Sequence, residues 1–541
     1  MASGYLSMVL HAHLPFVRHL GEEHHLEEKW LFEAITETYI PLYRVFERLI
    51  NDEIPFKITL SISPPLASML MDPLLNQKYL AYLDNLIRLA EKEVARTSKN
   101  ENIKFNDIAK MYLDRFKSTM YVYRDVLGCN LVKGFGELAK TGCVELITCA
   151  GTHGYLPLMA TVPAAARAQI KVAVDFHTRI FGSGPKGMWL PECGYQSPYD
   201  EFLRECGVRY FFVDTHGIND ASARPRYGVY APLYCPSGVA AFGRDMESSK
   251  QVWSAKEGYP GDFDYREFYR DIGYDLDYDY IREHLKPNGE RSQTGMKYHR
   301  ITGPCDWKEP YVRSWAMEKA STHAGNFVFN RKKQVEYLSG IMDRKPIIVA
   351  PYDAELFGHW WFEGPEWLDF VLRKTACDQD VFATATPSDY LDEYPVNQVA
   401  TPSMSSWGYL GYSEVWLSPP NDWIYRHLHY AAEKMCELAN DYPQPQSEVT
   451  TRALKQAARE LLLAQSSDWA FIMNTGTCVD YAIERTNQHI SNFLRLYNDI
   501  RSGNLDERWI GEVESQDNIF PDIDYEAYST KDRCEKGCKT A

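Results

Sequence analysis

The sequence has no run of about 18 apolar residues, no CxxC pair among its 12 cysteines, and no excess of positive charge. The first absence predicts no transmembrane helix. The opening "MASGYLSMVLHAHLPF" lacks a basic start, a long apolar stretch and a cleavage site, so the expectation is a cytoplasmic protein with reduced thiols. The nearest approach to a metal-binding thiol pair, Cys534 with Cys538 in "STKDRCEKGCKTA", lies in a polar terminal stretch, and 521–541 reads as a flexible tail. Lys plus Arg number 58 against 74 Asp plus Glu, a formal charge of −16. That balance disfavours nucleic acid and acidic membrane surfaces and suits a neutral substrate. No internal repeat is visible, and nothing in the sequence gives an oligomeric state.

Aromatic residues are plentiful: 13 Trp and 36 Tyr. Their flat faces can pack a core or stack on the apolar side of a ligand. Short apolar runs of strand length recur, "LSMVLHAH", "FKITLSIS", "VELITCAG", "GMWLPE", "YFFVDTHG", "GVAAFGRD", "IIVAPYDAE" and "VFATATPS". They lack clean alternation, as expected of parallel strands buried on both faces. Helical stretches lie between several of them, so seven or eight βα units and an α/β barrel are expected. The barrel is assigned to 1–70 and 141–400, with an aromatic insertion at 258–343 ending in a helix. Residues 71–140 read as a helical insertion. After 400 the strand signal disappears, and 401–520 reads as a helical C-terminal domain with helices at 421–441, 447–474 and 478–502, the last closed by Gly503.

Polar residues collect where the strand runs end: His11 and His13, Thr152 and His153, Glu192, Asp214 and His216, Arg244 and Asp245, Asp353 and Glu355. In parallel α/β barrels those ends and their loops build the active site. Glu192 in "WLPE" and Asp353 in "APYD" form a pair of the kind a retaining glycosidase needs, one to attack the sugar carbon and one to donate and later accept a proton. The alternative is that each caps a helix or pairs with an arginine. His11 and His13 project to one strand face and could ligate a metal, bind sugar hydroxyls or serve as core histidines. With metal, a zinc-dependent deacetylase or mannosidase is the reading from another class. Trp361 and Trp367 read as core. Trp407 and Trp416, in the Gly/Ser/Tyr-rich "SSWGYLGYSEVWLS", read as ligand contacts. The loop at 219–238 reads as an ordered excursion or lid with Tyr230 and Tyr234 as tip residues.

The stretches "HAHLPFVRH" (11–19), "GTHGYLPL" (151–158), "MWLPECGY" (188–195), "APYDAELFGHWW" (350–361) and "SSDWAFIM" (466–473) resemble glycoside hydrolase family 57, and within it the α-1,4-glucan branching enzymes. The resemblance implies a (β/α)7 barrel with a helical insertion and a helical C-terminal domain, a retaining mechanism, and no cofactor or catalytic metal. It implies Glu192 as nucleophile and Asp353 as acid/base. It implies His11, His13, His153, Trp189, Tyr234, His359, Trp360, Trp407, Trp416 and Asp468 as contacts to an α-glucan such as amylose, amylopectin or glycogen. The family's α-amylases and 4-α-glucanotransferases share the same carboxylate logic and are the alternatives within it.

Overall fold

A computed structural model describes residues 2–21, 25–253, 257–285, 289–445 and 447–531. The expected tail thiols Cys534 and Cys538 lie outside these residues. The ten cysteines among the described residues are unbridged. Among those residues no helix is long and apolar enough to cross a membrane. The chain forms two compact units, one of residues 1–60, 69–146 and 244–394, the other of 61–68, 147–243 and 395–541.

Every strand run read from the sequence is a strand: β1 (Gly4–Ala12), β2 (Ile58–Ile62), β3 (Val144–Cys149), β4 (Gly187–Trp189), β5 (Tyr210–Val213), β7 (Ala240–Gly243), β8 (Ile347–Asp353) and β9 (Phe382–Thr384). A two-residue strand, β6 (Leu233–Tyr234), is added. In the first unit β1 is flanked by β8 and β9, both parallel to it. Leu6, Met8, Val9 and Leu10 are all fully buried, which is why the run shows no alternation. In the second unit β3, β4, β5 and β7 pair in parallel, and β6 closes the edge of β7 antiparallel.

The predicted helical insertion in the first unit comprises helices Pro73–Thr97, Asn106–Met120 and Leu131–Lys140. The longest begins under a cap in which the Asp72 carboxylate accepts the Leu75 N–H at 3.0 Å. It buries Leu75, Tyr79, Leu83, Leu86 and Leu89 at helical spacing. The aromatic insertion ends, as expected, in a helix, Arg313–Ile341.

In the second unit the C-terminal helices are Trp423–Asp441, Glu448–Ala464, Ser467–Thr475, Val479–Ser502 and Glu507–Gln516. Gly503, in the left-handed conformation, ends the fourth as expected. The single helix expected over 447–474 is broken at Gln465–Ser466. Ser466 bridges to Gly154, and the Ser467 N–H donates to the His153 carbonyl at 3.0 Å, so hydrogen bonds to a distant loop replace the helical ones lost there. The stretch 521–531, expected to be flexible, is instead packed. Tyr528 is buried, and the Tyr525 hydroxyl donates to the Tyr442 carbonyl at 2.7 Å.

Candidate active site

Glu192 follows β4 through Pro191 and sits with φ 63° and ψ 23°, and Cys193 after it is also left-handed at φ 53°. Consecutive non-glycine residues in that region cost free energy and recur where a side chain must be aimed. What holds them is the segment 405–407. Tyr195 and Ser405 exchange backbone hydrogen bonds, and the Trp407 N–H donates to the Glu192 carbonyl at 2.9 Å. The Trp407 indole Nε1–H then donates to Glu192 Oε2 at 2.7 Å. Trp407 also packs edge-on against the buried Trp189, ring centroids 4.8 Å apart. The thiol, glycine and tyrosine after Glu192 therefore build the ledge on which Trp407 is seated, and Cys193 itself is buried.

Elsewhere in the same unit His153, again left-handed at φ 60°, meets the Ser467 hydroxyl through Nδ1 at 2.8 Å. The Ser466 hydroxyl donates to Asp468 at 2.5 Å, so the helix break at 465–466 is what sets Asp468 beside the 153 loop. Tyr234, expected at a loop tip, is in β6. Its N–H donates to the Gln398 carbonyl at 2.8 Å and its carbonyl accepts from the Ala400 N–H at 3.0 Å, a strand pairing rather than a free tip. Trp416, expected as a ligand contact, is corrected to core. It is 1% exposed and stacked on Tyr155 at 4.3 Å, and a Cβ at Gly408 would come within 2.6 Å of its ring.

The first unit holds the other carboxylate. Asp353 ends β8 in register with His11 on β1. Burial, and then the neighbouring Glu355, push its carboxyl up to about 8, against the opposing pull of the Arg244 guanidinium. Burial pushes Glu355 up to about 7, although the Tyr39 hydroxyl and the His13 N–H (3.1 Å) both donate to it. His11 and His13 rings stack at 5.8 Å.

His359 is placed differently from Asp353. Its Nδ1 meets Glu37 Oε2 at 2.9 Å, and Arg266 pairs with Glu37 Oε1 at 3.0 Å. Burial acts to raise the Glu37 carboxyl, but Arg266 and His359 hold it well below the usual carboxylate range. Gly358 makes this approach possible. It has φ 116°, and a Cβ there would lie 1.8 Å from the Glu37 carbonyl oxygen. The exposed Trp360 stacks on Phe268 at 4.8 Å. Trp361 and Trp367 are core, as read.

Sequence reasoning missed Glu37, Tyr39 and Arg266. Glu37 and Tyr39 lie on a π-helical turn, Ile35–Tyr39, inserted between helices Leu26–Ala34 and Ile40–Asn51. Such turns concentrate at functional sites but leave no periodicity to read.

Residues 7–332 match glycosyl hydrolase family 57, and residues 427–528 match the 1,4-alpha-glucan branching enzyme C-terminal family. The chain is 35% identical to the 1,4-alpha-glucan branching enzyme TK1436 of Thermococcus kodakarensis, over 96% of this chain and 77% of that one. It is 30% identical to the probable 1,4-alpha-glucan branching enzyme Rv3031 of Mycobacterium tuberculosis, over 90% of each. Among solved structures it is similar to the alpha-amylase AmyC of Thermotoga maritima, with TM-score 0.92 and 46% identity over 98% of this chain and 99% of that one. It is similar also to the GH57-type branching enzyme of Pyrococcus horikoshii, with TM-score 0.87 and 33% identity over 98% and 97%. The chain belongs to glycoside hydrolase family 57, with the α/β fold expected of it, a (β/α)7 barrel followed by a helical C-terminal region.

Proposed function

We propose that the protein is a retaining 1,4-α-glucan branching enzyme in which Glu192 is the nucleophile and Asp353 the acid/base. The observation that carries the activity is the joint match to family 57 and to the branching-enzyme C-terminal family, with relatives named as branching enzymes along nearly the whole chain. The chemistry of the two carboxyl groups supports the roles. A general acid must hold a proton near neutral pH, and the Asp353 carboxyl, pushed up to about 8, does. A nucleophile must be an oriented anion, and the Trp407 indole N–H is a donor placed on Glu192.

In the first step a Glu192 oxygen attacks C1 of an α-1,4-linked glucose while Asp353 gives its proton to the departing O4. The C1–O4 bond breaks, and a β-glycosyl ester forms on Glu192. In the second step the Asp353 carboxylate takes the proton of a glucan 6-hydroxyl, whose oxygen attacks C1. The ester bond breaks, and an α-1,6 branch forms with net retention. Water competes for the same ester, so transfer depends on exclusion of water and on a held acceptor. The pairing of Tyr234 with the 398–400 segment gives the 219–238 loop a fixed base from which to cover the intermediate. The glucan contacts we assign are His11, His13, His153, His359, Trp360, Trp407 and Asp468, with Tyr234 on the water-excluding loop; Trp189, expected among them, is fully buried and supports the Trp407 ring from behind. The product class is that of glycogen-like α-glucan synthesis.

The 46% identity to a protein named an α-amylase favours one second reading, hydrolysis through the same ester. Incubation with amylose, followed by proton NMR of the anomeric region and a reducing-end assay, separates the two. New α-1,6 signal with few new reducing ends is the expected outcome. Reducing ends without α-1,6 signal would make the protein an amylase.

A further inference from the structure

Apart from the residues assigned to catalysis, the first unit exposes three large aromatic side chains on one small ribbon and the helix that leaves it: Phe263 is 53% exposed, Trp307 67% and Trp315 50%. Tryptophan seldom stays so open unless something covers it. The ribbon is rigidly built. Segment 298–300 pairs with 309–311 through His299 with Pro310, Arg300 N–H to the Glu309 carbonyl (3.0 Å) and Tyr311 N–H to the Tyr298 carbonyl (2.9 Å). On its other side Ile301 N–H donates to the Tyr265 carbonyl at 2.8 Å and Thr302 N–H to the Phe263 carbonyl at 3.0 Å. The connecting loop is tied from within, since Lys308 Nζ donates to the carbonyls of Ile301 (2.7 Å) and Gly303 (2.9 Å), and the Thr302 hydroxyl accepts the Glu309 N–H at 2.9 Å. Trp307 is carried on that loop, and Trp315 opens the helix that follows it.

The basic side chains around the ribbon are spent on neighbouring carboxylates. Arg300 pairs with Glu309 and, at 3.4 Å, with Asp264, and its guanidinium lies 5.7 Å from the Trp315 ring centroid. Lys308 pairs with Glu267 at 3.4 Å, and Lys319 with Asp262 and Asp264 at 3.6 Å each. A patch of flat apolar faces whose basic groups are already paired offers little to an anionic partner. It complements a neutral chain that has apolar C–H faces and a rim of hydroxyls able to bond to the paired arginine, lysine and carboxylate groups.

We infer that Trp307 and Trp315, with Phe263 beside them, form an auxiliary α-glucan-binding surface that holds long polymeric chains. The inference rests on the proposed glucan activity and extends it: this surface distinguishes polymer from short oligosaccharide. Tethering one length of a polymer raises the effective concentration of its other segments at the catalytic residues, a gain that a short oligosaccharide cannot share.

The test uses the full chain carrying Trp307→Ala and Trp315→Ala together, and the milder pair Trp307→Phe and Trp315→Phe. Retardation in native gels containing amylopectin is measured beside initial rates on amylopectin and on a short maltooligosaccharide. For the alanine pair, binding to amylopectin about tenfold weaker is expected, at a few-fold for each lost stacking face. The apparent KM on amylopectin should rise accordingly, the rate on the short substrate should stay at the wild-type level, and the phenylalanine pair should recover most of the retardation. Unchanged retardation, or an equal loss on short and long substrates, would overturn the inference. Failure of the underlying activity looks different: the wild-type chain would then form no α-1,6 linkages from amylose.

Discussion

Glu192 and Asp353 are both carboxyl groups at the ends of parallel strands, yet their surroundings differ in kind. Glu192 is met by a donor, with Trp407 giving it a side-chain N–H and bonding its backbone carbonyl as well. Asp353 is met by another carboxyl and by burial, with Arg244 in partial opposition. One environment suits an anion that must point in a fixed direction. The other suits a group that holds its proton until a leaving oxygen needs it. Under the roles proposed above, two carboxyl groups are thereby suited to different work, and the division is written in their neighbours.

The sharpest way to break this comparison is to remove each carboxylate and ask whether the two losses are alike. Glu192→Gln and Asp353→Asn should each lower the branching rate on amylose by at least about a thousandfold. With an α-glycosyl fluoride donor, whose leaving group needs no proton, formation of the glycosyl ester should be restored in Asp353→Asn and remain absent in Glu192→Gln. Equal restoration, or none in either, would reverse or dissolve the assignment.

Next in size is the donor on Glu192. Trp407→Phe keeps an aromatic face against Trp189 while deleting the indole N–H together with part of the ring. A hydrogen bond to a charged acceptor contributes about 1.5–3 kcal/mol, so kcat should fall by about 10- to 100-fold with little change in KM. A change confined to KM would leave Trp407 a sugar contact alone and remove its role as donor to the nucleophile.

The other environment is probed by Glu355→Gln, which keeps an acceptor for the Tyr39 hydroxyl and the His13 N–H and removes a negative charge near Asp353. As the proposed general acid Asp353 acts in its protonated form, so kcat/KM should fall as pH rises through the upper of two values belonging jointly to the Asp353 and Glu355 pair, about 7 and about 8. Because Glu355 is a cause that raises Asp353, its removal should move the alkaline limb to lower pH, by about half to one unit. Burial remains, so the limb should stay well above the ordinary carboxylate range. A limb that does not move would mean that Glu355 does not act on the catalytic proton.

Much of this was legible in the sequence because two kinds of signal are local. A strand buried on both faces writes itself as an unbroken apolar run, and β1, β5 and β8 could be read for that reason. A carboxylate just beyond such a run is placed by the barrel's geometry, and that singled out Glu192 and Asp353. The rest depends on partners distant in sequence. The helical pattern runs unbroken through "ELLLAQSSDWAFIM", yet the helix breaks at Gln465–Ser466 because His153 and Gly154 offer replacement hydrogen bonds. Glu37 reads as an ordinary helical residue, since neither Arg266 nor His359, which give it its charge state, is near it in sequence. Trp416 sits in a loop without periodicity, so nothing local showed that Tyr155 covers it.

Trp416 supplies the smallest effect and the cleanest contrast with Trp407, nine positions away in the same loop. The Trp416 ring is buried against Tyr155, and among the described residues its indole Nε1–H has no hydrogen-bond partner. Trp416→Phe removes apolar contact, which costs stability, but it also removes a buried polar hydrogen that nothing satisfies, which returns part of that cost. The net destabilisation should be about 1 kcal/mol, a fall of a degree or two in apparent Tm for a chain of this length, measured at one fixed scan rate. Rate and KM per folded molecule should stay at wild-type values, because a ring that solvent cannot reach does not touch the acceptor. An unchanged Tm together with a raised KM for the acceptor glucan would show that Trp416 leaves its place against Tyr155 when substrate arrives, and would return it to the set of ligand contacts its loop suggested.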